Sequence, residues 1–382
     1  MDFAIPQHLQ DDLDRFQEFL ADHMAVRISE WHRQKEIPRE FFEKMGTAGW
    51  YGFEVSEGRL VRRPALREAL IAEELARLSP GAAIAALAHA DLGIMGLCLF
   101  GSEALQRQYA QNALSGQTVM CLGSTEGQAG SDVAAVATLA APVAGGWRLS
   151  GTKSYVTNGA LADLAVVTAV TDPAAPRSHR MSMFLVNLNA DGVNRTRLSK
   201  QVWVPSDLTR VELHDVFVPE NHRMGQSGRA LQQVLSIFTH SRVAIAALTL
   251  GTAAGAFDLA VKRAVKRTAF GRRIADFQAK SFEIADLHAG IEAARLMLYK
   301  ACWKVDRGVE FREEASLAKY LAVAIARKAS AWAADMFGAA SVMLEHPIHK
   351  FPMDAWASSL GEGTQDIQKL IIFREVLKRY MR

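Results

Sequence analysis

The sequence predicts an α+β protein laid out as helix, strand, helix, and its changing hydrophobic period is what predicts it. Over residues 7–117 apolar side chains recur every three to four positions. Over 118–222 they condense into short β-rich runs separated by Gly, Pro, Asn and Asp. From about 229 to 382 the helical period returns in long pieces. Three domains follow: a helical one at 1–117, a compact antiparallel β domain at 118–222 and a second helical one at 223–382, with the β module inserted between helical layers.

The first domain begins with Leu9, Leu13, Phe16, Phe19 and Leu20 on one helical stripe, and Pro38 opens a helix holding Phe41, Phe42 and Met45. Residues 65–78 carry Leu66, Leu70, Ile71 and Leu75 on one face. The Ser79-Pro80-Gly81 break then precedes an apolar helix at 84–100. In the middle domain strands are expected at 134–143, 147–149, 164–170, 183–188 and 210–218, with Pro219 to His222 closing the unit. Helices are expected at 231–266, 276–306 and 313–337, and an amphipathic one at 367–380 ends the chain.

Composition excludes several classes. Lys and Arg number 44 against 41 Asp and Glu, a net charge of +3, and no basic block interleaves with aromatics, so no nucleic-acid partner is expected. Cys98, Cys121 and Cys302 are too scattered for a disulfide framework or a zinc site. The N-terminus lacks a signal-peptide layout, and the charge-free run 243–257 is too short to span a bilayer. The expectation is a soluble, cytoplasmic protein without membrane or metal.

Three segments carry chemistry. Glu362-Gly363-Thr364-Gln365-Asp366 places one carboxylate in a glycine-flanked turn before the last helix, where an entering ligand would desolvate it and raise its basicity. Far upstream, Ser124-Thr125-Glu126-Gly127-Gln128-Ala129-Gly130-Ser131-Asp132 and Lys153-Ser154-Tyr155-Val156-Thr157-Asn158-Gly159 are rich in Gly and hydroxyls, which suits close backbone approach to a bulky polar ligand.

Together with Arg267-Thr268-Ala269-Phe270-Gly271 and Phe277-Gln278, these four motifs, in this order, resemble the acyl-CoA dehydrogenase family of flavoproteins over nearly the whole chain. The resemblance implies a helical N-terminal domain, a central β domain of barrel or sandwich type and a C-terminal four-helix bundle, assembled as a homodimer or homotetramer. It implies FAD between the β domain and the bundle. Leu122, Ser124, Thr125, Tyr155 and Thr157 would line the flavin, with Ser131 near phosphate. Arg267, Phe270 and Gln278 would reach the FAD of a neighbouring subunit, and Thr364 and Asp366 would close on the adenosine side. Glu362 would abstract the α-proton of an acyl thioester as the β-hydride passes to the flavin, with the Glu362 backbone N–H in the oxyanion hole. Arg242, Asp91 and Gly363 would face substrate, and an electron-transfer flavoprotein is an implied partner.

Departures from the family pattern bear on substrate. Thr239 stands where an adenine-contacting Asp is expected three residues before Arg242, which suits an acyl-carrier-protein thioester as well as an acyl-CoA. Ser241 offers no alternative base. Asp335 to Ser341 replaces a Gly-rich FAD contact, Met353-Asp354 replaces an Arg-Asp pair, and a Gly-rich loop shrinks to Glu54 to Gly58. Asp91 is an unusual acid near the acyl pocket, expected either to pair with His89 or an Arg or to address substrate. His346 and His349 read as surface histidines. The alternatives are an oxygen-using oxidase and a non-catalytic helical scaffold of the same fold.

Overall fold

The computed structural model describes residues 4–381. The N-terminal part comprises α1 (Gln7–Leu20), α2 (Ile28–Gln34), α3 (Arg39–Thr47), a hairpin of β1 (Phe53–Ser56) and β2 (Arg59–Arg62), then α4 (Ala65–Leu78), α5 (Pro80–Leu87), α6 (Met95–Phe100) and α7 (Glu103–Leu114). The hairpin corrects the expectation of a loop at Glu54 to Gly58. Glu57 and Gly58 both adopt positive φ, and Val55 pairs with Leu60. The expected helix at 84–100 starts earlier, because Ser79 caps it with its hydroxyl on Ala82 N and Pro80 occupies the first turn. It is also interrupted, since Ala88–Ile94 form a π-helical stretch between α5 and α6.

In the middle domain β3 (Met120–Gly123), β4 (Leu139–Val143), β5 (Gly146–Thr157), β6 (Leu164–Val170), β7 (Met181–Asn187), β8 (Val193–Arg197), β9 (Leu208–Pro219) and β10 (Arg223–Met224) form one sheet. Its order is β10-β7-β6-β4-β5-β9-β8, with β3 also beside β6. Most pairings are antiparallel, but β3 and β4 both run parallel to β6, so the sheet is mixed rather than antiparallel throughout. Residues 134 and 135, expected to open a strand, lie instead in a 3-10 turn at Val133–Ala135.

The C-terminal part holds α8 (Ala230–Lys266), the small hairpin β11 (Thr268–Ala269) and β12 (Arg272–Arg273), α9 (Gln278–Asp306), α10 (Arg312–Phe337), α11 (Phe351–Ala357) and α12 (Gln365–Tyr380). Small residues let α8 lie close to its neighbours. A Cβ on Gly251 would come within 2.1 Å of Glu73 O, and one on Gly255 within 2.4 Å of Arg77 O, so the α4–α8 contact is backbone against backbone. One apolar core joins the N-terminal helices to the sheet, and a second, alanine-rich core fills the bundle.

By length and composition Pro80–Phe100 and Ala230–Lys266 could each cross a membrane, unlike the shorter run considered from sequence, yet 72% and 83% of their apolar windows are buried inside the protein. His346 and His349 are partly buried rather than surface residues: His349 meets the His32 ring edge-on at 5.8 Å. Among the described residues no group of three or more His, Cys, Asp and Glu could hold a metal ion.

Candidate active site

The link between α11 and α12 turns sharply, with φ of 50° at Glu362 and 92° at Gly363. A left-handed conformation costs a residue with a Cβ about 1–2 kcal/mol, so Glu362 needs external anchors. Three side chains supply them. Lys319, fully buried on α10, donates to Gly361 O and Gly363 O. Arg242 on α8 gives Nε to Glu362 O at 3.1 Å. Gln368 on α12 gives Nε2 to Glu362 O at 3.1 Å and to Gly363 O at 2.9 Å. Thr364 caps α12 by accepting from Ile367 N.

These bonds fix the carbonyls and leave two groups free. Among the described residues the Glu362 carboxylate has no hydrogen-bond partner, and neither has its backbone N–H. Gly361 O belongs to the same peptide unit as that N–H, so the ammonium of Lys319 polarises the amide and makes the N–H a stronger donor. Burial raises the Glu362 carboxyl above its ordinary range, opposed by the charges of Lys319 and Arg242. Burial also brings Lys319 down to about 8 and Arg242 down to about 10, although the Glu362 carboxylate favours both cations.

The facing wall comes from the sheet. Leu122, next to last in β3, is half-buried, and Ser124 is buried against Thr168, whose hydroxyl lies 3.5 Å away. Thr125 O accepts from Ser154 N at 2.8 Å, joining the two hydroxyl-rich segments. Glu126 and Ala129 exchange backbone bonds at 3.1 Å, closing the loop on itself. The loop is pinned from below by the buried Glu126 carboxylate, which accepts from Lys153 Nζ at 2.6 Å, Thr138 Oγ1 at 2.6 Å and Ala137 N at 2.7 Å. Burial lowers Lys153 to about 8. For Glu126 burial pushes upward, but Lys153 and the hydrogen bonds prevail and hold the carboxyl low.

Above this base the surface is open. No atom lies within 4 Å of a Cβ built on Gly127 or Gly130. Tyr155, in the left-handed region at φ 57°, leaves 64% of its surface exposed. The hydroxyls of Thr125 and Thr157 have no side-chain partner among the described residues, Ser131 is exposed, and Asn158 ties the wall to α5 through Ala85 O at 2.8 Å. An exposed aromatic ring, free hydroxyls and unobstructed Gly backbone fit a planar, polyanionic flavin nucleotide.

The descriptions of three family models fit the chain end to end: acyl-CoA dehydrogenase N-terminal domain over residues 7–117, middle domain over 121–216 and C-terminal domain over 228–377. The chain belongs to the acyl-CoA dehydrogenase family. A Bacillus subtilis acyl-CoA dehydrogenase is 31% identical over 362 residues, 94% of this chain and 95% of that one. The CarC subunit of the caffeyl-CoA reductase-Etf complex of Acetobacterium woodii is 29% identical, over 92% and 93% of the two chains. Among solved structures, the FAD complex of PigA superposes with a TM-score of 0.93 at 28% identity, over 99% of this chain and 100% of that one. The protein is thus an FAD-dependent oxidoreductase of the acyl-CoA dehydrogenase family.

Within one chain the structure brings some of the expected residues together and keeps others apart. Glu362, Gly363 and Arg242 meet at the turn, and Glu362 is near enough for its charge to be felt by Asp91. Arg267, Phe270 and Gln278 lie past the far end of α8, about 37 Å along the helix from Arg242 at 1.5 Å per residue. Phe270 is 94% exposed on its hairpin tip. Asp366 is exposed in the first turn of α12, with Lys369 3.3 Å away.

Of the alternatives for Asp91, pairing with His89 is ruled out: the His89 ring accepts from Met120 N and faces Ala113 O, both at 3.0 Å. Asp354 is buried and accepts from Trp203 N, a structural role for the altered Met353-Asp354 pair. Lys319, Gln368 and the Glu126–Lys153 pair were missed from sequence. Lys319 carried a readable signal, since it falls on the same stripe as buried Ala315, Ala318 and Ala322.

Proposed function

We propose that this enzyme removes hydrogen across the α and β carbons of an acyl thioester, with Glu362 as the base. The observation that carries the proposal is the anchored turn: a carboxylate without a partner, raised by burial, beside a free and polarised N–H of the same residue. The thioester oxygen accepts from the Glu362 N–H, which stabilises negative charge as the α-proton leaves for the Glu362 carboxylate. Bound FAD supplies the acceptor for the β-hydride. Leu122, Ser124, Thr125, Tyr155 and Thr157 would hold its ring and Ser131 its phosphates. Thr364 and Asp366 would border the adenosine, and Arg267, Phe270 and Gln278 would serve the same group in a neighbouring subunit of a homodimer or homotetramer. Arg242 acts on Glu362 as a positioning residue, and Gly363 borders the thioester.

The Glu362→Gln variant should stay yellow and bind thioester while turnover falls at least ~10²–10⁴-fold, the usual worth of a general base. Turnover near the wild-type rate would remove Glu362 from the role. Electrons would leave to an electron-transfer flavoprotein, as the likeness to CarC of an Etf complex supports.

The thioester's carrier is read from α8. Thr239 donates to Leu235 O at 2.8 Å and accepts from Arg242 Nη1 at 3.3 Å, and Arg242 is buried toward Glu362 O, so this turn of α8 offers no carboxylate to an adenine. This supports an acyl group on the phosphopantetheine arm of a carrier protein. Turnover of one acyl group on CoA and on a loaded carrier protein decides it, and a clear preference for CoA overturns it.

A further inference from the structure

Asp91 sits in the middle of the π-helical stretch Ala88–Ile94. Such stretches widen a helix by a residue per turn and recur at functional sites. This one is held firmly, by the two backbone contacts of His89 and by Gly93, where a Cβ would come within 2.5 Å of Met120 Cβ on β3. The distortion leaves Asp91 lining a cavity of about 40 Å³ with Tyr51, Glu68, Ala86, Ala90 and Leu248. Leu248 lies on the same helix as Arg242, six residues on and thus about 9 Å along it, so the cavity lies within reach of the base.

The rest of the lining is mostly apolar, the Tyr51 hydroxyl donates to Phe42 O at 3.0 Å, and the other carboxylate is satisfied, because Glu68 accepts from Arg67 Nη1 at 2.7 Å. Asp91 makes no hydrogen bond or ion pair among the described residues. The charge of Arg62 reaches it, but the Arg62 hydrogen bond goes to His240 Nδ1 at 3.1 Å. Asp91 is partly exposed into the cavity. An acyl chain that fills the cavity would strip water from a carboxyl group without a partner, which is costly, and a donor on that chain would remove the cost. A plain alkyl chain would leave it in place.

We propose that Asp91 selects acyl groups carrying a hydrogen-bond donor, an amino or a hydroxyl group, near the end of the chain. The inference rests on the thioester reading above and adds a substrate class to it. The volume sets a limit as well: the end group must be small.

The test compares 5-aminopentanoyl, 5-hydroxypentanoyl and hexanoyl pantetheine thioesters, three near-isosteres, on the FAD-loaded enzyme. The wild type should favour at least one donor-bearing chain over hexanoyl by ~10-fold or more in kcat/KM. Asp91→Leu should abolish or invert that ratio. Asp91→Asn, the milder change should the first variant fold poorly, should keep the hydroxyl preference and lose the ammonium one. A wild-type preference for hexanoyl, or a ratio that both variants leave unchanged, overturns the proposal. A purely structural Asp91 would lower all three substrates together. Binding of the same thioesters, read from the shift of the flavin absorption band, reports the Asp91 preference without turnover. An enzyme that binds selectively but does not turn over therefore fails the base assignment and not this one.

Discussion

Lys319→Met isolates the contribution of the buried cation to the base. The variant keeps the volume and removes the ammonium, leaving Gly361 O without its donor while Gly363 O retains Gln368. Two bonds from a charged donor are worth about 1.5–3 kcal/mol each, or roughly 3–6 in all. Relief from burying the ammonium returns several kcal/mol of that. What remains is about 2 kcal/mol, comparable to the ~1–2 kcal/mol that holds Glu362 in its left-handed conformation. Losing it frees the turn and should slow proton abstraction by about 30-fold at 1.36 kcal/mol per decade. The pH profile gives a second, independent readout. Lys319 lowers the Glu362 carboxyl against the upward push of burial, so its removal raises that pKa. The base must be ionised to act, and the acidic limb of the rate profile therefore moves to higher pH. Single-turnover bleaching of the flavin across a pH series measures both. A rate within threefold of wild type with an unmoved limb would refute the reasoning.

Two further predictions concern the scaffold. Lys153→Met leaves the Glu126 carboxylate buried without its cation and should cost about 3–5 kcal/mol by chemical denaturation, whereas adding Glu126→Gln should recover most of the loss; equal instability in both variants would contradict the ion-pair account. Gly251→Ala gains about 1 kcal/mol of helix propensity but drives a methyl to within 2.1 Å of Glu73 O. That contact is with backbone and cannot swing aside, so a net loss of about 1–3 kcal/mol is expected, and an unchanged or raised unfolding midpoint would count against the close α4–α8 contact.

What the sequence disclosed and what it hid divide along physical lines. The strand at 164–170 was legible to the residue because it is apolar but for Thr168, fully buried and bounded by turn residues. Its neighbour β3 went unseen: four residues give no period, and they are held by parallel pairing to β6 that no local pattern encodes. β5 was read as three residues instead of twelve because register shifts after Leu149 and Lys153 break its alternation. β8 was missed since Val193 to Arg197 is polar and mostly exposed on the sheet edge. The π stretch lies in an Ala- and Leu-rich run where every register looks alike. Glu362 stood out through its flanking glycines and its resemblance to a known motif. Its anchors were hidden, because Arg242, Lys319 and Gln368 come from three different helices and only tertiary packing brings them to one turn.

That convergence has a consequence for charge. At the Glu362 turn itself two buried cations, Lys319 and Arg242, stand beside one carboxylate, and the next acid, Asp91, is pushed up to about 7 by burial, so the resting site carries a local excess of positive charge. Low polarisability of the surroundings makes that excess count for more than it would in water. A neutral thioester gains little from it, whereas the enolate that forms as the α-proton leaves gains from both cations through the polarised peptide units. The arrangement therefore favours the reacting state over the ground state, the requirement for raising a rate rather than merely tightening binding. Glu362→Gln sharpens the contrast, for it removes the one negative charge and abolishes proton abstraction together. A stable enolate-forming ligand such as a 3-ketoacyl thioester should then bind the variant more tightly than the wild type, while the saturated thioester of equal length should bind both about equally. Titration of the flavin band with the two ligands measures the difference. Weaker binding of the enolate-forming ligand to the variant would mean that the carboxylate itself, not the cations behind the turn, organises the site.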